Sequence, residues 1–206
     1  MKRQLVSWLM LTVLAVTTQA QSIQQLGPNY FAAGVPSNEF EYYAAAQTGG
    51  RQRSENWCWA ACIQMVLNYH GVQVSQEQIV ARIYGGLTDQ PGTLDQMQQA
   101  LSGWAPNVNG RYSMIYSQAG FTSVNEITQN LAYKWPIIVG LRSPGSGIGH
   151  AYVLTAIYYS LDMYGNTVPD KVVLRDPWPQ SPSRQEMSWY EFSQRLDIGL
   201  KVWITR

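Results

Sequence analysis

Trp57-Cys58-Trp59-Ala60-Ala61-Cys62-Ile63-Gln64-Met65-Val66-Leu67-Asn68-Tyr69 is the stretch on which the reading of this chain turns. Only Gln64 and Asn68 in it are strongly polar. Ser54 or Asn56 stands where a cap is needed, and Gly71 lies just past the end. A helix apolar nearly all round is normally buried in the middle of its domain. The expectation is a buried helix over about residues 57–69 with Cys58 in its first turn. Unpaired backbone N–H groups and the helix dipole favour negative charge there. A thiol so placed loses its proton more easily, and the thiolate is the nucleophile. The competing reading is a small buried hydrophobe, which is what most free cysteines are. That reading comes first for Cys62, one turn deeper.

A nucleophilic thiol needs a base, and the chain has two histidines. His70 ends the same helix, about 18 Å from Cys58 by helical rise, and reads as its C-terminal cap. His150 follows the turn Gly145-Ser146-Gly147-Ile148-Gly149 and opens a β-branched, aromatic strand, 150–159. A histidine there faces a cleft or is an ordinary surface residue. The base in turn needs a partner to fix its tautomer. Asp176 closes the next strand, 171–175, and antiparallel pairing puts the end of that strand beside the start of the first. Asp176-Pro177 also reads simply as the start of a turn. Gln52, six residues before Cys58, could aim its amide at an oxyanion, although a glutamine in a polar loop means little alone.

Working outward, Ser75/Gln78, Thr93/Gln96, Ser123/Glu126 and Ser188/Glu191 have the spacing of helix N-terminal capping boxes. They predict helices ending near Gly85, Gly103, Pro136 and residue 196. Past Pro136 the pattern turns to strands at 137–142, 150–159, 171–175 and 200–205. A helical first half and a mainly antiparallel second half define an α+β class with two lobes. Residues 21–50 show no clear periodicity and read as an extended arm or a short pro-segment. The domain proper is then 51–206.

Lys2 and Arg3, an apolar run from Leu5 to Val16, and Thr18-Gln19-Ala20 read as an export signal over residues 1–20, removed before Gln21. The expectation is a secreted or periplasmic protein without stable membrane insertion after that cleavage. The 206 residues suffice for one domain. A formal charge of +1, with no basic run interleaved with aromatics, argues against nucleic acid. Two histidines and two cysteines without ligand spacing do not make a metal site, and no cofactor is expected. Cys58 and Cys62, four apart on a helix, are poorly placed to bridge.

Taken together, Gln52, the Trp57-Cys58-Trp59-Ala60-Ala61 helix start, Gly149-His150 and Asp176-Pro177 resemble the papain-like cysteine peptidases. Within these the chain is most similar to the bacterial AvrRpt2-type and C39-like branches. The likeness spans roughly residues 50–180. It implies a helical lobe carrying Cys58, an antiparallel β lobe carrying His150, Gln52 in the oxyanion hole and Asp176 orienting His150. It implies hydrolysis of a peptide or protein substrate through a Cys58 acyl-enzyme. The chain departs from plant and lysosomal papains in lacking their Cys-Gly-Ser lead-in and in carrying Asp rather than Asn as third member. Two other readings stand beside this one. The same fold could serve as an amide acyltransferase or a cell-wall peptide hydrolase. A catalytically vestigial exported binding module could instead use the eight Trp and thirteen Tyr as a recognition face.

Overall fold

The structure, a computed structural model, describes residues 22–104, 110, 112–121, 123–143 and 149–205. The expected signal segment and residues 145–148 of the glycine-rich turn lie outside the described residues.

The chain opens with a hairpin, β1 (Ile23–Gly27) and β2 (Tyr30–Gly34), and then α1 (Ser37–Ala44). The sequence signal was weak here because β1 is an exposed edge strand without inward-outward alternation, and no side chain caps α1. Next come α2 (Cys58–Tyr69), α3 (Gln76–Tyr84) and α4 (Leu94–Leu101). The second half runs β3 (Met114–Ala119), α5 (Val124–Ala132), β4 (Ile137–Arg142), β5 (Gly149–Leu161) and β6 (Thr167–Arg175). It ends with β7 (Arg184–Ser188), α6 (Trp189–Arg195) and β8 (Leu196–Thr205).

Both capping boxes at Ser75 and Thr93 close reciprocally. Ser123 and Ser188 accept from the N–H groups of Glu126 and Glu191, but these carboxylates turn away, to Lys201 and Arg195. α2 departs from expectation at its start. Its N-cap is Trp57, and neither Ser54 nor Asn56 supplies a side-chain cap. Asn56 is drawn off to the next loop, its backbone N–H donating to Asp89 Oδ1 at 2.8 Å. His70 is the C-cap, as expected.

All strand pairs are antiparallel. β5 is the spine: its first half pairs with β4, its second half with β2, and β6 runs along its other edge. Two cores flank the sheet. One joins α2, α3 and α4 to Ile138, Ala151, Val153, Leu200 and Val202. The other places Ile127, Leu131 and Phe192 against Ile137, Val139, Leu141, Leu154, Val172 and Leu174. This is the expected α+β arrangement, with Cys58 on the helical side and His150 on the sheet.

The two polar residues of α2 act as anchors. Gln64 Nε2 donates to Thr48 O at 3.2 Å, and Gln64 Oε1 accepts from the Gln76 N–H at 2.9 Å. Gln76, fully buried, donates through Nε2 to Gly49 O and Arg51 O at 2.7 and 2.9 Å. Buried amides are stable only when so paired, and here they pin the loop that leads to Gln52. Asn68 Oδ1 accepts from the Val74 N–H, closing the α2–α3 turn.

Candidate active site

Three elements converge at one end of the sheet. α2 begins with Cys58, which is half-buried. β5 presents His150, paired in register with Leu141 of β4. Asp176 follows β6, 4% exposed. The register pairs Val153 with Arg175, which carries Asp176 back beside the first residues of β5. His150 Nε2 lies 2.8 Å from Asp176 Oδ1. The other ring nitrogen is thereby left for Cys58, which lines the same two cavities as His150.

The electrostatics follow from this bracketing. Burial opposes charge on His150, but the hydrogen bond to Asp176 and that to Cys58 outweigh it and raise its pKa to about 9. Burial pushes the Cys62 thiol well above its ordinary value. Both cysteines are free, so only Cys58 is poised to react, because Cys62 stays protonated in the core.

Asp176 is engaged on several sides. Its Oδ1 accepts from the Trp178 N–H at 2.8 Å, an Asx turn, as well as facing His150. Its own carbonyl accepts from the Arg51 guanidinium at 2.7 Å, and its N–H donates to Ser183 O at 2.7 Å.

Gln52 lies in the turn that enters α2. It is 5% exposed, and its amide Nε2 donates to Ser54 O and Glu55 O at 2.9 and 2.7 Å. Its amide therefore closes the turn into α2, and its Oε1 is buried without a partner.

Three more side chains surround the pair, and of these the sequence reading missed Tyr152 and Gln185. Tyr152 stacks edge-on to His150 at 4.7 Å, and Trp178 does so at 6.4 Å. Gln185 donates to Asp176 Oδ2 at 2.7 Å. The Asp-Pro-Trp spacing signals the Trp178 turn, whereas Tyr152 is marked only by standing two residues from His150 on one strand. Trp189, half-buried, packs on Phe192 at the margin of the second core.

Trp57 and Trp59, flanking Cys58, donate through their indole N–H groups to Thr88 O and Gln90 O at 2.7 and 3.1 Å. They fix the loop before α4 as one lip of a cleft. Gly92 is obligatory in that loop, because a Cβ there would stand 2.4 Å from the Trp59 ring. Two cavities meet at Cys58, Pro91, Gly149 and His150. One, about 260 Å³, is walled by Trp59, Met97, Gly140, Ala151 and Ile198. The other, about 540 Å³, carries Glu55, Asn56, Ser143, Tyr152 and Trp178. The reactive pair thus lies where the two cavities meet. Among the described residues no cluster of three or more His, Cys, Asp or Glu could hold a metal, and no helix is long and apolar enough to cross a membrane.

A thiol at the start of a buried helix, facing a strand-borne histidine backed by a carboxylate across a cleft, defines a papain-like cysteine peptidase. The chain belongs to the Peptidase_C39 like family, whose sequence profile matches residues 37–203. Its fold is similar to that of the peptidase domain of Streptococcus ComA, a bi-functional ABC transporter involved in quorum sensing. That likeness has a TM-score of 0.50 and 17% identity over 75% of this chain and 95% of that domain. A double glycine motif protease from an AMS/PCAT transporter, solved with a leader peptide, aligns with a TM-score of 0.48. The identity there is 16%, over 74% of this chain and 87% of that one. Among curated proteins none matches the chain by sequence.

Proposed function

We propose that the chain hydrolyses peptide bonds through an acyl-enzyme on Cys58, with His150 as acid and base. The observation that carries this reading is the imidazole held between Cys58 and Asp176, with Nε2 committed to the carboxylate. The thiolate of Cys58 attacks the scissile carbonyl carbon, and the C–S bond forms as the carbonyl π electrons move to oxygen. Backbone N–H groups of the uncapped first turn of α2 stabilise that oxyanion. Gln52 joins them once its amide leaves the carbonyls of Ser54 and Glu55. The imidazolium then protonates the amine as the C–N bond breaks. The neutral ring next takes a proton from water, whose oxygen displaces Cys58 and releases the acid. The substrate is an extended peptide lying along the groove, its side chains entering the two cavities. On the reading of residues 1–20 as an export signal, it is met outside the cytoplasm.

The pH dependence of kcat/KM tests this. His150 must be protonated to deliver a proton to the leaving amine, and its pKa is raised to about 9. Activity is therefore expected to persist above neutrality and to fall as pH rises through about 9, with this limb moving to lower pH in Asp176→Ala. A rate that keeps climbing past that pH in both proteins would contradict the assignment. Mass analysis of products made in the presence of an added amine distinguishes hydrolysis from acyl transfer, because transfer leaves the amine on the new carboxyl terminus.

A further inference from the structure

Asp176 is held at more points than a turn residue needs. Its Oδ1 serves His150 and the Trp178 N–H, while Oδ2 accepts from Gln185 Nε2 at 2.7 Å. Gln185 comes from β7, where exposed Arg184, Glu186 and Ser188 alternate with the more buried Gln185 and Met187. Met187 packs into the core, but Gln185 brings an amide to an inward position. An amide there is costly unless its donors are satisfied. The register pairs Gln185 with Leu174 and Arg184 with Arg175. Asp176, two residues beyond Leu174, is thus the diagonal neighbour of Gln185 on the same face, within reach of a long side chain.

We propose that Gln185 is a positioning residue of the peptidase site, its amide fixing the Asp176 carboxylate in the orientation that aims the His150 imidazole at Cys58. The inference rests on the proposed Cys58–His150–Asp176 reading. With Oδ2 anchored, the carboxylate has three fixed points, and Oδ1 stays directed at the ring. Without Gln185 only the contacts to Oδ1 remain, and nothing on the Oδ2 side resists a turn of the carboxylate that carries Oδ1 out of line with the ring. The titratable groups facing this carboxylate are His150 and Tyr152 on β5 and Cys62 on α2, with Cys58 beyond the ring. Arg51 binds the Asp176 carbonyl, not its carboxylate. Glu55 lies in the same cavity wall.

Gln185→Met keeps length and bulk while removing the donor. Kinetics at saturating and limiting substrate should show kcat about 10–100-fold lower, the range found when the partners that orient metal ligands are removed, with KM little changed. The alkaline limb should shift to lower pH, because the imidazolium is held less well. Gln185→Glu, which turns the donor into an acceptor, should lose at least as much activity, and it carries the same test if Gln185→Met does not fold. In an Asp176→Ala background Gln185→Met should cost nothing further. A purely structural role would lower Tm and the fraction of titratable active sites, leave the pH profile unmoved, and persist without Asp176. That result, or full kcat in Gln185→Met beside a crippled Asp176→Ala, overturns the inference. Full activity in Asp176→Ala would instead sink the catalytic reading on which the inference stands.

Discussion

Cys58→Ala is expected to abolish peptide hydrolysis, by roughly a thousandfold or more, and His150→Ala to do nearly the same. The first removes the atom that forms the acyl bond. The second removes both the proton donor for the leaving amine and the positive charge that holds the thiolate. Because the two act as one unit, the double variant should be hardly worse than either alone. Neither change should unfold the protein. Cys58 is half-buried at a cleft, and the side chain of His150 is 21% exposed at the start of a strand. Cys62→Ala is the matching control. It lies fully buried one turn deeper, with its thiol kept protonated by burial, so hydrolysis should survive it. Peptide cleavage assays beside circular dichroism on the four proteins measure this, and appreciable turnover by Cys58→Ala would contradict the scheme.

Phe40→Ala is expected to destabilise the fold by about 3–5 kcal/mol, the usual cost of emptying a buried aromatic site. Phe40 is completely buried on α1, packed against Tyr43 and Tyr69 with ring centroids 6.1 and 5.3 Å away. Its neighbourhood ties the first residues of the chain to the site. The fully buried guanidinium of Arg175, immediately before Asp176, is paired with Glu41 and donates to Ser37 O at 2.9 Å. Deleting residues 22–50 would strip Glu41 from that buried cation, take β2 from the edge of β5, and remove Phe40. Leaving a buried charge unpaired is strongly destabilising. The shortened chain should therefore unfold at far lower urea and show no gain in activity. A truncated protein that folds normally and turns over faster would mean instead that these residues are an inhibitory pro-segment.

The parts of the fold legible in the sequence were those with local chemistry. Ser75 and Thr93 sit three residues before a glutamine, and each cap closes on itself without help from the rest of the chain. Ile137–Arg142 reads as a strand because Pro136 ends what precedes it and apolar residues fill it. The hairpin of β1 and β2 was hidden, because what stabilises it is β5, more than a hundred residues away. β7 was hidden as well, its alternation carried by Gln185 where an apolar residue would have declared a strand.

The site divides along the same line. Cys58, His150 and Asp176 could be placed by helix start and strand register, two rules that need no tertiary detail. The direction of the Gln52 amide, the stacking of Trp178 and Tyr152 on His150, and the reach of Gln185 to the end of the neighbouring strand depend on packing.

The most direct test of the thiolate–imidazolium pair is the rate of Cys58 alkylation as a function of pH, with mass mapping to separate it from Cys62. Comparison with His150→Ala supplies the reference. A rate that stays high well below the free-thiol pKa of about 8.5, and collapses at those pH values in His150→Ala, is the predicted result. A slow rate that rises only near that pKa, the same in both proteins, would show Cys58 to be an ordinary cysteine and contradict the assignment.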